Sequence, residues 1–280
     1  MRAAAKYLLP AYGTLLVLGL TWPFFLPGEA FALRDMMVLP DMALTRASLG
    51  FGDLPARNVP QDALLGLVPF PVLLVRVLVI GAATAAAVAG HRLGTHPLGK
   101  TAAMTVAVWN PLVIERLLQG QWSLAVAAWL IPLVALGGRA GPVAQWVASL
   151  TPTGAISAAC FVRSRAGLVV AALSCALWVV AGALATGGGT ATPESAAAFA
   201  PRAEQYVGTL GALMGLGGIW NGAAVPASRE VGFALFGIPL FVLLGLGWRA
   251  VPRRWLALAA AGFAIALASW AGLTNPVVTH

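Results

Sequence analysis

The chain has 280 residues, 60% of them hydrophobic and 9% charged, with a net charge of +8 and a mean hydropathy of +0.87. This composition excludes a soluble globular core. Lysines and arginines gathered in cytoplasmic loops explain the positive balance better than a nucleic-acid partner does. Apolar runs of about 18 to 20 residues match the ~20 helical residues needed to cross a ~30 Å hydrocarbon core. They are continuous rather than alternating, so they predict helices and not a β-barrel.

The basic start, Arg2 and Lys6, leads into an apolar run that no small-x-small cleavage site ends. It is read as a retained first helix with a cytoplasmic N-terminus. Spans are expected at about 7–26, 68–90, 101–118, 122–138, 166–184, 231–248 and 254–273. The expected fold is therefore all-α: a single transmembrane domain over residues 1–280, a polytopic bundle in the plasma membrane with His280 outside. In this layout the inner segments carry ten cations, from Arg2 and Lys6 to Arg253 and Arg254, and no carboxylate. All nine acidic residues fall on the outer side, Glu115 at the outer end of the span 101–118. The positive-inside rule concerns only Lys and Arg, so the segregated acids suggest that something outside uses them.

The first outer segment, about 27–67, contains "EAFALRDMMVLPDMAL" (Glu29–Leu44). Asp35 lies close to the membrane surface after the first span, where a carboxylate can act as general base toward a hydroxyl. Its neighbour Arg34 can pair with a phosphate. The plainer alternative is a solvated loop with a local ion pair. Further on, Asp41 is expected to cap a short helix ending near Gly50, and Asn58 and Pro60 to start another that runs into the second span. Arg76, inside that span, either snorkels or pairs within the bundle. His91 and His96 in the next loop do not suggest a metal site.

In "VWNPLVIERLLQGQWSL" (Val108–Leu124), Asn110 and Pro111 interrupt the third span. Helical spacing puts Glu115 and Gln119 on one face and Arg116 one position round. Trp109 and Trp122 suit the interfacial aromatic belt. Polar residues this close to hydrocarbon mark a cavity or fix helix pairs by hydrogen bonds. "PVAQWVASLTPTGAISAACFV" (Pro142–Val162) is long enough to cross, yet cations flank both ends and "TPTG" breaks its middle. A re-entrant hairpin is expected, the alternative being a full span with inverted flanking charges. Cys160 and Cys175 sit in apolar surroundings and are read as buried thiols. The second outer segment, about 185–230, ends in "GGIWNGAAVPASRE" (Gly217–Glu230). There Trp220, with Asn221 beside it, can stack on a sugar, and Arg229 can reach a lipid phosphate. A flexible loop with an interfacial Trp is the plainer reading. "AEQYVGTLGALM" suggests a short interfacial helix. No GxGxxG, Walker A, HExxH or GxSxG motif occurs, so no nucleotide cofactor is implied.

"NPLVIERLLQGQWSL" resembles a segment of polytopic bacterial proteins grouped with the GT-C glycosyltransferases. In that segment an aromatic-Asn-Pro stretch is followed by an Arg and then by Gly-Gln/His-Trp. Trp109, Asn110, Pro111, Arg116, Gly120, Gln121 and Trp122 match it. The Arg-Asp loop after the first span, "VPQDALL" and "ASLTPTG" fall in a similar order. The Ala-, Gly- and Val-rich composition resembles actinobacterial members related to cell-envelope arabinosyl- and mannosyltransferases. The resemblance implies an enzyme that moves a sugar from a polyprenyl-phosphate donor to an envelope glycan or lipid on the outer face. It assigns the acidic catalytic role of the first outer loop to Asp35. Phosphate contacts would fall to Arg34, Arg116 and Arg229, and further substrate contacts to Glu115, Gln119, Trp122, Trp220 and Asn221. No resident cofactor or metal is implied, although dependence on a divalent cation stays open. Expected partners are membrane lipids, the lipid-linked donor, the acceptor and a partner membrane subunit if the chain is a split form. Two other readings stand beside this one: a non-enzymatic scaffold or lipid-binding subunit of the same fold, and a transporter or flippase, which the broken Pro142–Val162 stretch favours.

Overall fold

The structure, a computed structural model, describes residues 2–51, 59–184, 200–217 and 232–270. The chain forms two compact units, Met1–Gly188 and Gly189–His280. The described residues of both are mainly helical.

The first unit begins with α1 (Arg2–Thr21), extended by a 3-10 turn at Trp22–Phe25. Next come two short strands, β1 (Phe31–Leu33) and β2 (Met36–Val38). They pair antiparallel with Phe31 opposite Val38 and Leu33 opposite Met36. Helices follow as α2 (Val59–Leu67), α3 (Pro71–Leu93), α4 (Pro97–Val108), α5 (Pro111–Leu118) and α6 (Trp122–Leu136). The unit closes with α7 (Ala140–Ala148), α8 (Pro152–Ala159) and α9 (Arg165–Leu184). Proline stands at the first or second position of α3, α4, α5 and α8. There its missing N–H costs nothing and its fixed φ suits the helix.

Among the described residues three stretches are long and apolar enough to cross a membrane: Tyr7–Phe25, Pro71–Leu93 and Arg165–Leu184. These match three of the expected spans. The expected span 101–118 is divided at Trp109–Asn110, and α6, at 15 residues, rises only ~22 Å. The core gathers on α3 and α6. On α3, Val72, Val75, Val79, Ala82, Ala83 and Ala86 form one buried stripe at helical spacing. Opposite it, Val126, Trp129 and Leu130 of α6 are buried. Small residues on the α3 stripe let neighbouring backbones approach, which is how helices pack where lipid offers no hydrophobic drive. Tyr12 Oη and Thr105 Oγ1, 2.6 Å apart, tie α1 to α4.

The Pro142–Val162 stretch is two helices, of nine and eight residues, broken at Ser149–Thr151. Each rises only ~12–14 Å. Freed backbone groups at such a break need partners. Trp178 Nε1 donates to Ser149 O at 3.1 Å. Gln145 Nε2, fully buried, donates to Ala155 O at 3.1 Å and to Ser149 Oγ at 3.2 Å. At Gly154 a Cβ would collide with Ala148 O and with the Ala127 side chain, so the glycine admits the tight return of the chain.

Several local expectations are corrected. The described residues are mostly helical, consistent with the all-α reading, with one short β-hairpin at residues 31–38 that it did not foresee. No helix begins at Asp41: a 3-10 turn at Ala47–Leu49 ends at Gly50 in the left-handed region (φ 87°). It is held by Thr45 and Ser48, whose hydroxyls lie 2.8 Å apart. The Pro60 helix stops at Leu67 and does not run into α3; Asn58 lies outside the described residues. Cys160 is an exposed free thiol and Cys175 a half-buried one, so neither is the buried thiol expected. In the second unit, short helices span Gly208–Met214 and Gly237–Gly247, with a longer one at Arg253–Trp270. The expected interfacial helix at "AEQYVGTLGALM" is therefore shorter.

Candidate functional site

The site is assembled by two turns brought together from far apart in sequence. The first is the hairpin between β1 and β2. Only Arg34 and Asp35 separate the strands, and Arg34 has φ +50°. A left-handed first turn residue is usually Gly, because a Cβ there costs ~1–2 kcal/mol. The arginine is therefore held in a strained conformation by its surroundings. The turn exposes both side chains, while Met36 and Val38 beneath it are buried.

The second turn is Gln119–Gln121, between α5 and α6. Asn110 starts α5: its Oδ1 accepts from Val113 N at 3.1 Å, and its Nδ2 donates to Val106 O at 3.0 Å. One amide thus caps α5 and satisfies a carbonyl of α4. The neighbouring Val108 carbonyl accepts from Trp129 Nε1 at 2.9 Å. The Asn-Pro break in the sequence is therefore a jointed pair of helices rather than one interrupted span. After α5, Gly120 turns at φ +79°. A Cβ on Gly120 would strike Leu33 O and Met36 N of the hairpin. Only glycine satisfies both the left-handed turn and this contact. Asp35 N completes the joint by donating to Gln119 O at 3.1 Å.

On this platform three side chains line up. Gln121 Nε2 donates to Asp35 Oδ2 at 2.9 Å. Arg116 donates to Gln121 Oε1, also at 2.9 Å. Gln121 thus joins a carboxylate and a guanidinium through its two ends, and its orientation is fixed because only the amide nitrogen can donate and only its oxygen can accept. Arg116 lies on short α5, outside the three long apolar helices, and is half-buried. Burial lowers its guanidinium from the ordinary value and Asp35 draws it up again; it stays charged at any physiological pH. Asp35 itself is exposed.

Among the residues expected at the site, Arg34, Asp35, Arg116 and Gln119 come together. Glu115 is fully buried and Gln119 nearly so. Glu115 therefore lies beneath the surface and does not line it. Trp122 is 3% exposed and part of the hydrophobic core, not of an interfacial belt, so it offers no face to a substrate; Trp109 is exposed. Trp220, Asn221 and Arg229 lie outside the described residues. The reading of candidate contacts missed Gln121, which bridges the two charges, although the Gly120-Gln121-Trp122 motif already contained it.

Arg76 supports the hairpin from its other end. Its guanidinium donates to Leu26 O and Gly28 O, both at 2.9 Å. It also lies over the Phe31 ring, 5.5 Å from the centroid, within cation–π range. Arg76 thus pairs with carbonyls of the loop after α1 and with the ring of Phe31. Among the described residues no cluster of metal-ligating side chains occurs.

The chain matches no protein-family model, no curated protein and no solved structure.

Proposed function

We propose that the chain is a membrane glycosyltransferase of GT-C-like architecture, moving a sugar from a polyprenyl-phosphate donor to an envelope glycan or lipid acceptor on the outer face. The observation that carries this reading is the Asp35–Gln121–Arg116 line: an exposed carboxylate on a strained turn, linked by one amide to a guanidinium. Gln121 holds Asp35 Oδ2, which leaves Oδ1 to take a proton from an acceptor hydroxyl. In that reaction the acceptor oxygen attacks the anomeric carbon and the bond from that carbon to the phosphate oxygen breaks. Polyprenyl phosphate leaves with the electron pair while Asp35 accepts the proton. Arg116 and Arg34 supply positive charge where the phosphate becomes more anionic. The expected bundle of about seven spans, with a re-entrant segment at Pro142–Val162, belongs to this proposal. The three long apolar helices and the break at Ser149–Thr151 support it.

The test is turnover. Purified protein supplied with a radiolabelled polyprenyl-phosphate sugar should release polyprenyl phosphate, and Asp35→Asn should abolish that release while the fold persists. A second reading, a non-catalytic scaffold or lipid-binding subunit, is favoured by one observation: Gln121 satisfies both charges within the fold. On that reading the wild type releases nothing, and Asp35→Asn alters stability alone.

A further inference from the structure

A groove of about 410 Å³ runs between α1 and α3, closed on one side by Met104 of α4. That volume falls in the ~300–1,000 Å³ range of ligand clefts. Asp35 does not line it, so it is separate from the site above. Its floor is made of small or slender side chains, among them Gly13, Val17 and Ala87, and its walls include Thr14 and Thr84. Thr84 Oγ1 donates to Ile80 O of its own helix, at 2.8 Å, which satisfies its hydroxyl donor within α3. From Ile80 to Arg92 the α3 wall rises ~18 Å, slightly more than half of a ~30 Å hydrocarbon core. On the α1 side the lining runs from Leu9 to Phe25, ~24 Å, so the groove extends through more than half of the hydrocarbon core.

Its two ends differ in chemistry. Phe25 stands at one, His91 and Arg92 at the other. Lys100 Nζ lies 3.5 Å from His91 Nε2 and adds a second cation to that end. No carboxylate lines the groove. Among the described residues Arg92 has no hydrogen-bonding or ionic partner, and it is exposed. A slot that is apolar along its length and cationic at a single end complements an amphiphile with an apolar chain and an anionic head.

We infer that the α1–α3 groove binds an anionic glycerophospholipid, one acyl chain lying along Val17 and Ala87 and the phosphate headgroup held by Arg92 with Lys100. The site stands whether or not the chain transfers sugars.

The experiment is native mass spectrometry of the purified full chain with phosphatidylglycerol and phosphatidylcholine of identical acyl chains. The wild type should retain phosphatidylglycerol preferentially. Arg92→Gln and Lys100→Gln should each reduce that preference about fivefold, in keeping with ~1 kcal/mol per cation near an anionic surface. Thr84→Trp, at an exposed groove wall, should fill the slot and lower retention of both lipids, with unchanged thermal unfolding as the check on folding. If that variant unfolds, Thr14→Trp fills the slot from the α1 side. Retention of phosphatidylglycerol undiminished by both tryptophans would reduce the effect to surface attraction and overturn the site. So would an unchanged lipid preference in Arg92→Gln, which would mark ordinary annular lipid. Arg254→Gln, outside the groove, should change neither readout.

Discussion

Gly120→Ala tests the joint on which the candidate site rests. The substitution adds one methyl group, but at φ +79° an alanine is strained by ~1–2 kcal/mol. The new Cβ would also meet Leu33 O and Met36 N. Both are backbone atoms of the hairpin and cannot rotate away, so overpacking adds ~1–3 kcal/mol. The sum is about 2–5 kcal/mol, relieved most easily by lifting the hairpin off the α5–α6 turn. Lifting it breaks the bond from Asp35 N to Gln119 O and the bond from Gln121 to Asp35. The assay is peptide-level hydrogen exchange over residues 31–38, with thermal unfolding in detergent alongside. The Asp35 amide should lose its protection, and the unfolding midpoint should fall by roughly 5–15 °C. Any sugar-transfer activity should fall with it. Wild-type protection of residues 31–38 in Gly120→Ala would refute the packing of the hairpin against this turn.

Asn110→Ala removes the cap of α5 and the bond to Val106 O together, and should cost about 1–2 kcal/mol in denaturant unfolding. Trp129→Phe keeps an aromatic side chain but loses the indole N–H and strands the buried Val108 carbonyl; a loss of about 1–3 kcal/mol is expected in the same assay, exceeding that of Trp109→Phe, whose ring is exposed. Asp62 lies on short α2, outside the long apolar helices. Burial raises its carboxyl above the usual 3.8, and the Gln61 side chain partly counters this. A raised carboxyl pKa means that the folded state holds the proton more tightly than the unfolded state. Asp62 therefore imposes no penalty below pH 3.8, a growing one as pH rises through the folded pKa, and a constant one above. Asp62→Asn should accordingly stabilise the protein at neutral pH and flatten the acid side of its stability profile. An unchanged profile would count against the burial.

What the sequence made legible was decided locally. Long continuous apolar runs indicated α1, α3 and α9, and Asn-Pro and Thr-Pro placed the breaks before α5 and α8, because proline disfavours a helical conformation in the residue before it and Asn and Thr suit the position just before a helix. The hairpin was not legible. Its strands are three residues long, and its two-residue turn is Arg-Asp, where hairpins ordinarily signal themselves with Gly or Asn. The partnership of Asp35 with Gln121 was equally hidden, since 86 positions separate them and no periodicity connects them. Trp122 was misplaced because an aromatic beside a polar turn serves an interface as readily as a core; packing behind Gly120 decided for the core. Cys160 failed for the opposite reason. Apolar neighbours in sequence do not bury a thiol at the end of a short helix.

Arg76 has a mechanical consequence. It belongs to α3, one wall of the groove, yet it grips the carbonyls of Leu26 and Gly28 and the ring of Phe31 at the root of the hairpin. The far tip of the same hairpin is pinned by Gly120 and Gln121. Eight residues anchored at both ends act as a lever with little slack. A molecule wedging α1 away from α3 would tug on the carboxylate at position 35 from a distance, with no touch between the two places.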